Sequence, residues 1–415
     1  MSDILKKLIE EHTANLDKYN KMGSYYDGQH DILKNYHYEE NRANQKIIVN
    51  YVHKFIEEEL SYIFGNPLTY ISKSGNETTV NDIDYQLSHW KATHNQKLTR
   101  ILEIFGTAYE LYYINTNSEF SSRILNPTNA IVLTNTDDVP QMFVHFYKHK
   151  YEDSNYYDVY YSDRIEIYKD DVLIDTKKHL FNCVPVSVCT IGDEQTIYSK
   201  IKSLNDSLNS IMSDQLNTIS DFRSAYLIVT GSELDEETAL AMKTKGLINL
   251  KSKEGKVEWL MKEINTSYIE TMLTNIKDSI YSVCNHIDSQ EKLQSNTSGV
   301  ALRTRLVFLE QRSKTIFDAV SDTILDRIRF LFHYLAIKNK AYDYKDIKVS
   351  YSPCIPQDIQ LIAQTINQLG DKISLETALA QLPFISNPAN EIAKIKKEQS
   401  ELQEINLDKA GLTDE

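Results

Sequence analysis

A chain of 415 residues with 59 acidic and 45 basic side chains carries a formal charge of −14, which argues against gripping nucleic acid through clustered Lys and Arg, although an acidic or neutral wall would let DNA slide past. The length allows roughly one structural unit per 100–200 residues, hence about two to four. No apolar run approaches the roughly 18–20 residues of a bilayer span, and MSDILKKLIEEH reads as a charged amphipathic helix without a signal-peptide core, so a soluble chain with no membrane contact is expected.

Helical patterns run from the N-terminus through Ile63, where Val52, Phe55, Ile56, Leu60 and Ile63 mark one face and Gly65-Asn66-Pro67 supplies the stop. Tyr85 to Tyr112 reads as a helix interrupted near Gly106. From Leu111 the period changes to two, and LYYIN, SSRILN, AIVLTN, QMFVHFYKH, YYDVYYSD, RIEIYKD and VLIDTKKH, separated by Asn, Asp and Pro turns, predict an antiparallel meander. Tyr157, Val159 and Tyr161 alternate with Tyr156, Asp158 and Tyr160, so phenols occupy both faces, an arrangement that suits a subunit contact as well as a monomer.

The central region predicts a helix from Glu194 to Phe222, roughly 40 Å long at 1.5 Å per residue. Its seam is Ile197, Ile201, Leu204, Leu208, Ile211, Leu216 and Ile219, with Asp206, Asp214 and Asp221 lying away from it. A compact insert follows: a strand at Tyr226–Val229, a short helix at Leu234–Lys245, a strand at Leu247–Leu250, then a Glu254-Gly255 turn into Val257–Leu260. A second long helix opens on the capping box Ser267-x-x-Glu270 and carries Ile269, Leu273, Ile276, Ile280, Val283 and Ile287. The polar run Gln294, Ser295, Asn296, Thr297, Ser298, Gly299 interrupts, and a third helix from about Val300 to Lys338 has Leu302, Leu306, Leu309, Ile316, Val320, Ile324, Ile328, Leu331 and Leu335 on its buried side. A last strand is expected at Asp346–Tyr351, then helices near Ile359–Leu369, Leu375–Leu382 and Asn390–Glu404. The fold class is α+β.

The search for chemistry is negative. Neither GxGxxG nor GxxxxGK[ST] occurs, so no nucleotide cofactor is expected. His145 and His149 lie in a strand pattern, where exposed histidines are the expectation, and His89 and His94 stand five apart beside Trp90, which is no ligand spacing. Asp137-Asp138 and Asp170-Asp171 fall at turns, and Glu233, Asp235, Glu236 and Glu237 begin a helix. Cys183, Cys189, Cys284 and Cys354 show no CxxC or Cys/His spacing and are expected reduced and partly buried. Arg303, Arg305, Arg312, Arg327 and Arg329 on the third long helix are expected in salt bridges. No catalytic residue and no metal ligand is assigned.

One set of residues resembles a known family. Tyr25, Tyr26, Gly28, His30, Ile32 and Leu33, then Ile48, Val49, Asn50 and Tyr51, then Tyr62, Phe64, Gly65, Asn66, Pro67 and Tyr70 reproduce in order and spacing the N-terminal signature of tailed-bacteriophage portal proteins, the head-to-tail connectors. Gln29 stands where that pattern carries an acidic residue. The resemblance implies a wing over residues 1–193, a first stem helix over 194–222, a clip over 223–263, a second stem helix over 264–290, a tunnel loop over 291–300, a long wing helix and strand over 301–352, and a small crown with its tail over 353–415. It implies Gln294 to Gly299 as the DNA-channel loop and Asp206, Asp214 and Asp221 as channel-lining stem residues. Lys251, Lys253, Lys256 and Trp259 become the clip surface that meets the next connector. The implied protein is not an enzyme. It forms a self-associated ring, typically of twelve subunits, at one capsid vertex of the virion, and is assembled in the host cytoplasm. Its implied partners are terminase, a head-completion or adaptor protein, capsid and scaffolding proteins, and double-stranded DNA passing without sequence specificity. An intracellular enzyme acting on nucleic acid or nucleotides, which would need a carboxylate cluster or phosphate loop, and a helical adaptor or scaffold remain the other readings of the residues alone.

Overall fold

The computed structural model describes residues 2–37, 44–222, 226–230, 256–260, 266–288, 299–351, 359–379 and 391–400, with single residues at 382, 385 and 388. Its helices are α1 (Asp3–Tyr26), α2 (Ile32–Asn35), α3 (Tyr51–Phe64), α4 (Glu77–Leu87), α5 (His94–Phe105), α6 (Ile197–Phe222), α7 (Thr266–Cys284), α8 (Gly299–Ile337), α9 (Ile359–Leu369), α10 (Leu375–Leu379) and α11 (residues 391–400). Its strands are β1 (Thr69–Ser72), β2 (Thr107–Ile114), β3 (Phe120–Leu125), β4 (Ala130–Thr134), β5 (Pro140–Tyr147), β6 (Tyr156–Tyr160), β7 (Arg164–Lys169), β8 (Val172–Lys178), β9 (Val186–Thr190), β10 (Tyr226–Thr230), β11 (Lys256–Leu260) and β12 (Ile347–Ser350). Two compact units divide the chain. The first holds Met1–Tyr19, Ile56–Asp193 and Glu310–Glu415, and the second Asn20–Phe55 and Glu194–Leu309.

In the first unit, β4 to β8 form a five-stranded antiparallel meander in chain order. Alternation puts Val144, Tyr157, Val159 and Tyr168 on one face against Leu5 and Leu8 of α1. Phe143 and Tyr160 sit on the other face, with Tyr109, Leu111, Leu125, Val184 and Val186. Both faces of the central strands β5 and β6 are therefore covered within the chain, while β8 is exposed along its whole length, and the phenols keep their hydroxyls paired: Tyr156 donates to Glu152, Tyr157 to Asp171 and Tyr168 to Glu166.

The continuous meander expected from Leu111 onward is two sheets. β2 and β3 belong to a separate three-stranded sheet ordered β3-β2-β9, whose third strand the sequence reading did not contain. The helix expected over Tyr85–Tyr112 is likewise replaced by α4, a break at residues 88–93, α5 and then β2. Gly106 ends α5 in the left-handed conformation at φ 74° and lets β2 begin one residue later. A Cβ at Gly106 would sit 2.8 Å from the backbone of Gly192 and Asp193, so the position also fixes how closely β9's exit passes. The expected exposure of the strand histidines holds for His149, whereas His145 is buried. Burial, with Arg123 nearby, pushes its pKa down to about 4.

The C-terminal half of α8 is the spine of this unit. Ile328, Phe330, Leu331, Phe332, Tyr334 and Leu335 pack with Ile83, Tyr112, Phe120, Phe181 and Ile347, each large side chain contributing about 1.5–3 kcal/mol by burial. Two arginines on the same helix enter the core with carboxylates. Arg312 pairs with Glu59 of α3 and Arg327 pairs with Glu110 of β2, all four side chains being under a tenth exposed. Glu110 accepts from Arg327 Nε at 2.9 Å and Nη2 at 2.9 Å, from His94 Nε2 at 2.8 Å and from Ser122 Oγ at 2.7 Å. Burial alone would raise its pKa, but Arg327 and His94 outweigh it and hold the carboxyl at about 2. Glu103 of α5 is also buried, and no cation is bonded to either oxygen. Burial and the adjacent Glu59 carboxylate raise its pKa well above the usual range, against the opposing pull of Arg312. Arg329 on the exposed side pairs with Asp326, while Arg303 and Arg305 have side chains outside the described residues.

In the second unit α6 packs on α7. Ile197, Ile201 and Leu208 of the expected seam are buried, but Ile219 is 59% exposed, so the seam opens toward the helix end. On α7 the buried residues are Ile280, Tyr281 and Cys284, while Val283 is exposed. Phe55 stacks on His286 with centroids 4.1 Å apart and meets Tyr281 edge-on at 5.2 Å. β10 and β11 pair antiparallel, Tyr226 opposite Leu260 and Thr230 opposite Lys256. The expected helix and strand between them lie outside the described residues, as do Cys354 and residues 401–415.

Candidate functional site

The signature residues from Tyr25 to Tyr51 converge in the second unit, where the chain leaves α1, reverses, and runs extended over residues 44–50 before α3, whereas Tyr62, Phe64, Gly65, Asn66, Pro67 and Tyr70 belong to the first unit. Gly28 makes the reversal at φ 78°. Asn50 clamps it, donating from Nδ2 to Tyr26 O at 2.9 Å and capping α3 by accepting the His53 amide at 3.0 Å. The ring of Tyr25 stacks on His30 at 4.4 Å, and both side chains are buried. Gln29 donates its backbone amide to Ser24 O at 2.7 Å. The acidic partner is instead Asp31, which pairs with Lys21 at 2.8 Å and Lys202 at 3.1 Å. Burial raises its pKa, yet the two lysines outweigh that and hold it at about 2.

The extended segment docks on α6 through a comb of side chains. Asn205, Asn209, Ser213 and Asn217, one helical turn apart and fully buried, accept the amides of Tyr51 (3.3 Å), Val49 (2.8 Å), Ile47 (2.9 Å) and Gln45 (2.8 Å) in that order. Asn205 and Asn217 also return Nδ2 bonds to the carbonyls of Val49 and Gln45, both at 2.9 Å. Four helical residues rise about 6.0 Å and two extended residues about 6.6 Å, so every second amide of the segment meets every fourth side chain of the helix. Helix and segment run in opposite directions. Backbone amides of the segment are thus satisfied without a second strand. The sequence alone shows the apolar seam of α6 and its three acids, not this comb. The missed signal was three amides and a hydroxyl repeating every fourth residue with no charge among them.

The candidate channel acids fall as follows. Asp206 is half-buried, accepts from Tyr25 Oη at 2.8 Å and pairs with Lys202 at 2.6 Å. Asp214 is exposed and accepts from Tyr36 Oη at 2.6 Å. Asp221 lies in α6 with its side chain outside the described residues. Two of the three thus tie α6 to the N-terminal segment, and of these two Asp214 is the exposed one. Of the candidate clip residues, Lys256 opens β11 and is exposed, and Trp259 stands opposite Leu227 in the β10–β11 ladder, while Lys251 and Lys253 lie outside the described residues. Gln294, Ser295, Asn296, Thr297 and Ser298 also lie outside them, and Gly299 is the first residue of α8. Among the described residues no group of three or more His, Cys, Asp or Glu is placed to hold a metal ion, and no helix is long and apolar enough to cross a membrane.

Residues 5–404 match the family described as "Phage portal protein, SPP1 Gp6-like". The chain belongs to this portal family. Among curated relatives, the portal protein of Bacillus phage SPP1 is 23% identical over 97% of this chain and 87% of its own length. That of Clostridium phage phiCD119 is 21% identical over 84% and 85% respectively. A solved chain from the neck of an empty GTA particle, computed with C6 symmetry, is 13% identical with a TM-score of 0.46, covering 83% of this chain and 90% of that one. The resemblance carried by residues 25–70 is therefore a property of almost the whole portal sequence.

Proposed function

We propose that this portal protein assembles into a ring, typically of twelve copies, at one vertex of the phage capsid, that double-stranded DNA passes through its centre during packaging and ejection, and that the ring docks terminase and later the head-completion or adaptor and tail proteins. The observation that carries this reading is the family match over residues 5–404, in a chain whose two long helices α6 and α7 flank the β10–β11 pair. In this reading α6 and α7 are the stem, residues 223–263 the clip, residues 291–300 the tunnel loop, the sheets and α8 the wing, and residues 353–415 the crown. Lys256 and Trp259 then face the next connector, and Gln294 to Gly299, with Asp214, face the channel. Small polar side chains in that loop exchange hydrogen bonds with phosphate and water at little net cost, and the absence of a basic cluster there avoids salt-dependent capture of the backbone. The family is structural rather than catalytic, so the energy for DNA movement comes from the separate motor. Scaffolding and capsid proteins are the remaining partners, met in the host cytoplasm during assembly.

Negative-stain microscopy and native mass measurement at high protein concentration test the proposal. Closed rings with a central hole are expected. Discrete two-fold oligomers saturating at a dimer or tetramer would refute it.

A further inference from the structure

His30 has its protonation state dictated by what surrounds it. Its Nε2 lies 3.1 Å from the carbonyl of Tyr25, an acceptor, so Nε2 carries the hydrogen. Its Nδ1 faces Asn209 Nδ2 at 3.0 Å and Asn205 Nδ2 at 3.4 Å, both donors, so Nδ1 must be the bare, accepting nitrogen. Neither amide can flip to present its oxygen. Asn209 Oδ1 already accepts the Val49 amide, and Asn205 is held at both ends, by the Tyr51 amide on Oδ1 and the Val49 carbonyl on Nδ2. A flip would set donor against donor on the backbone. With 1% of its surface exposed, the ring has no water to turn to.

We propose that His30 is an acid-sensitive latch: taking up a proton at Nδ1 releases the extended segment 45–51 from the side-chain comb of α6. The imidazolium would aim Nδ1–H at two amide donors whose orientation is fixed by the same backbone groups that hold the segment, so protonation and docking exclude each other. The charged and titratable groups facing His30 are Tyr25 from α1, Asp31 from its own loop, and Lys202 and Asp206 from α6, with the neutral Asn50 side chain from the segment. Asp31 and Asp206 favour the imidazolium, but each is already engaged by Lys202, and Asp31 by Lys21 as well. Burial prevails and lowers the pKa of His30 from its usual value. The folded, docked state therefore binds fewer protons than the released state. The latch is fully closed above the released-state pKa near 6.5, and its contribution is lost as pH falls below that value.

Hydrogen exchange of the full chain, corrected for the intrinsic rate, reads the latch at the amides of Gln45, Ile47, Val49 and Tyr51. If the docked state excludes the proton, opening of this segment increases about tenfold between pH 7.5 and pH 5.5, and β6 and β7 in the other unit do not change. His30→Asn keeps an acceptor in the place of Nδ1 but does not titrate, so the tenfold rise disappears. Asn209→Asp accepts the Val49 amide and offers a carboxylate to the imidazolium, so its protection rises as pH falls. Equal protection at both pH values in the wild type would overturn the proposal. So would an undiminished tenfold rise in His30→Asn, or an Asn209→Asp trend in the wild-type direction.

Discussion

Replacing Arg327 by Met tests whether the buried charge pair holds the first unit together. Met occupies the aliphatic part of the side chain's volume but strands the Glu110 carboxylate, which is fully enclosed and loses two charge-assisted bonds of 2.9 Å. Asn95 Oδ1 loses its 2.8 Å donor as well. Among the described residues, only His94 and the Ser122 and Tyr112 hydroxyls then remain to satisfy Glu110. Breaking a buried pair by removing one partner costs about 3–5 kcal/mol, which at roughly 2–4 °C per kcal/mol for a unit of this size is a melting shift of about 6–20 °C. Calorimetry and urea unfolding at pH 7 measure it. The Arg327→Met, Glu110→Gln double variant removes the stranded charge and is expected to be more stable than the sum of the single effects by on the order of 2 kcal/mol. Arg327→Lys does not rescue, because the fork that reaches Glu110 and Asn95 together is lost. A single-variant loss under about 1 kcal/mol, or additive losses in the double variant, would refute the reasoning.

Glu103 has a pH signature opposite in sign to that of His30, and Glu103→Gln tests it. Because the folded pKa of Glu103 lies above its unfolded value, the folded state holds an extra proton, so this group's contribution is full below about pH 4.5 and declines by up to about 1.4 kcal/mol per pH unit above it. The Gln variant, neutral at every pH, loses that decline, and urea midpoints from pH 5 to 8 that fall as steeply as the wild type's would contradict the raised pKa of Glu103. Gly106→Ala combines a left-handed backbone with a 2.8 Å approach to the Gly192 and Asp193 backbone, and is expected to cost about 2 kcal/mol or more. Gly192→Ala, at φ 81° but with open space around it, pays only the backbone strain of about 1 kcal/mol. Equal urea midpoints for the two alanine variants would show that the close approach is not enforced.

The long helices were legible because a repeat of three and four residues sustained over many turns has no competing explanation. Ile316, Val320, Ile324, Ile328, Leu331 and Leu335 are all buried as that repeat requires. The misreading of Tyr85–Tyr112 has a local cause: residues 88–93 contain neither Gly nor Pro, and the break between α4 and α5 is made by tertiary contacts. There Trp90 packs on His94 at 4.5 Å and donates to the Phe120 carbonyl. β1 and β12 pair Thr69 with Ser350 across most of the chain, and β9 finds β2 at similar remove from local pattern. The buried charges were hidden for another reason. Glu59, Glu103, Glu110, Arg312 and Arg327 stand among apolar neighbours at spacings that also describe a solvated face, and only the meeting of distant elements turns them inward.

The residues that carried the family resemblance and those proposed to meet DNA are of different physical kinds, and this explains why one set was readable and the other was not. Gly28 must accept a left-handed backbone, Asn50 must reach both Tyr26 O and the first turn of α3, and His30 must accept from two fixed amides. Each position admits few residue types because its partners are specified within the same chain. A channel wall has no such partner. If rings form as proposed, each side chain of the loop at 294–299 is repeated around the axis, and what DNA meets is the summed polarity and charge of identical copies rather than the geometry of any one residue. Many sequences satisfy that requirement, so the loop leaves a faint local signature. The same division separates the acids of α6. Asp206, tied to Tyr25 and Lys202, belongs with the residues whose geometry is fixed. Asp214, exposed on the same helix, carries a charge that a neighbouring surface would feel, and symmetry would multiply that charge while leaving the neutralised Asp206–Lys202 pair silent.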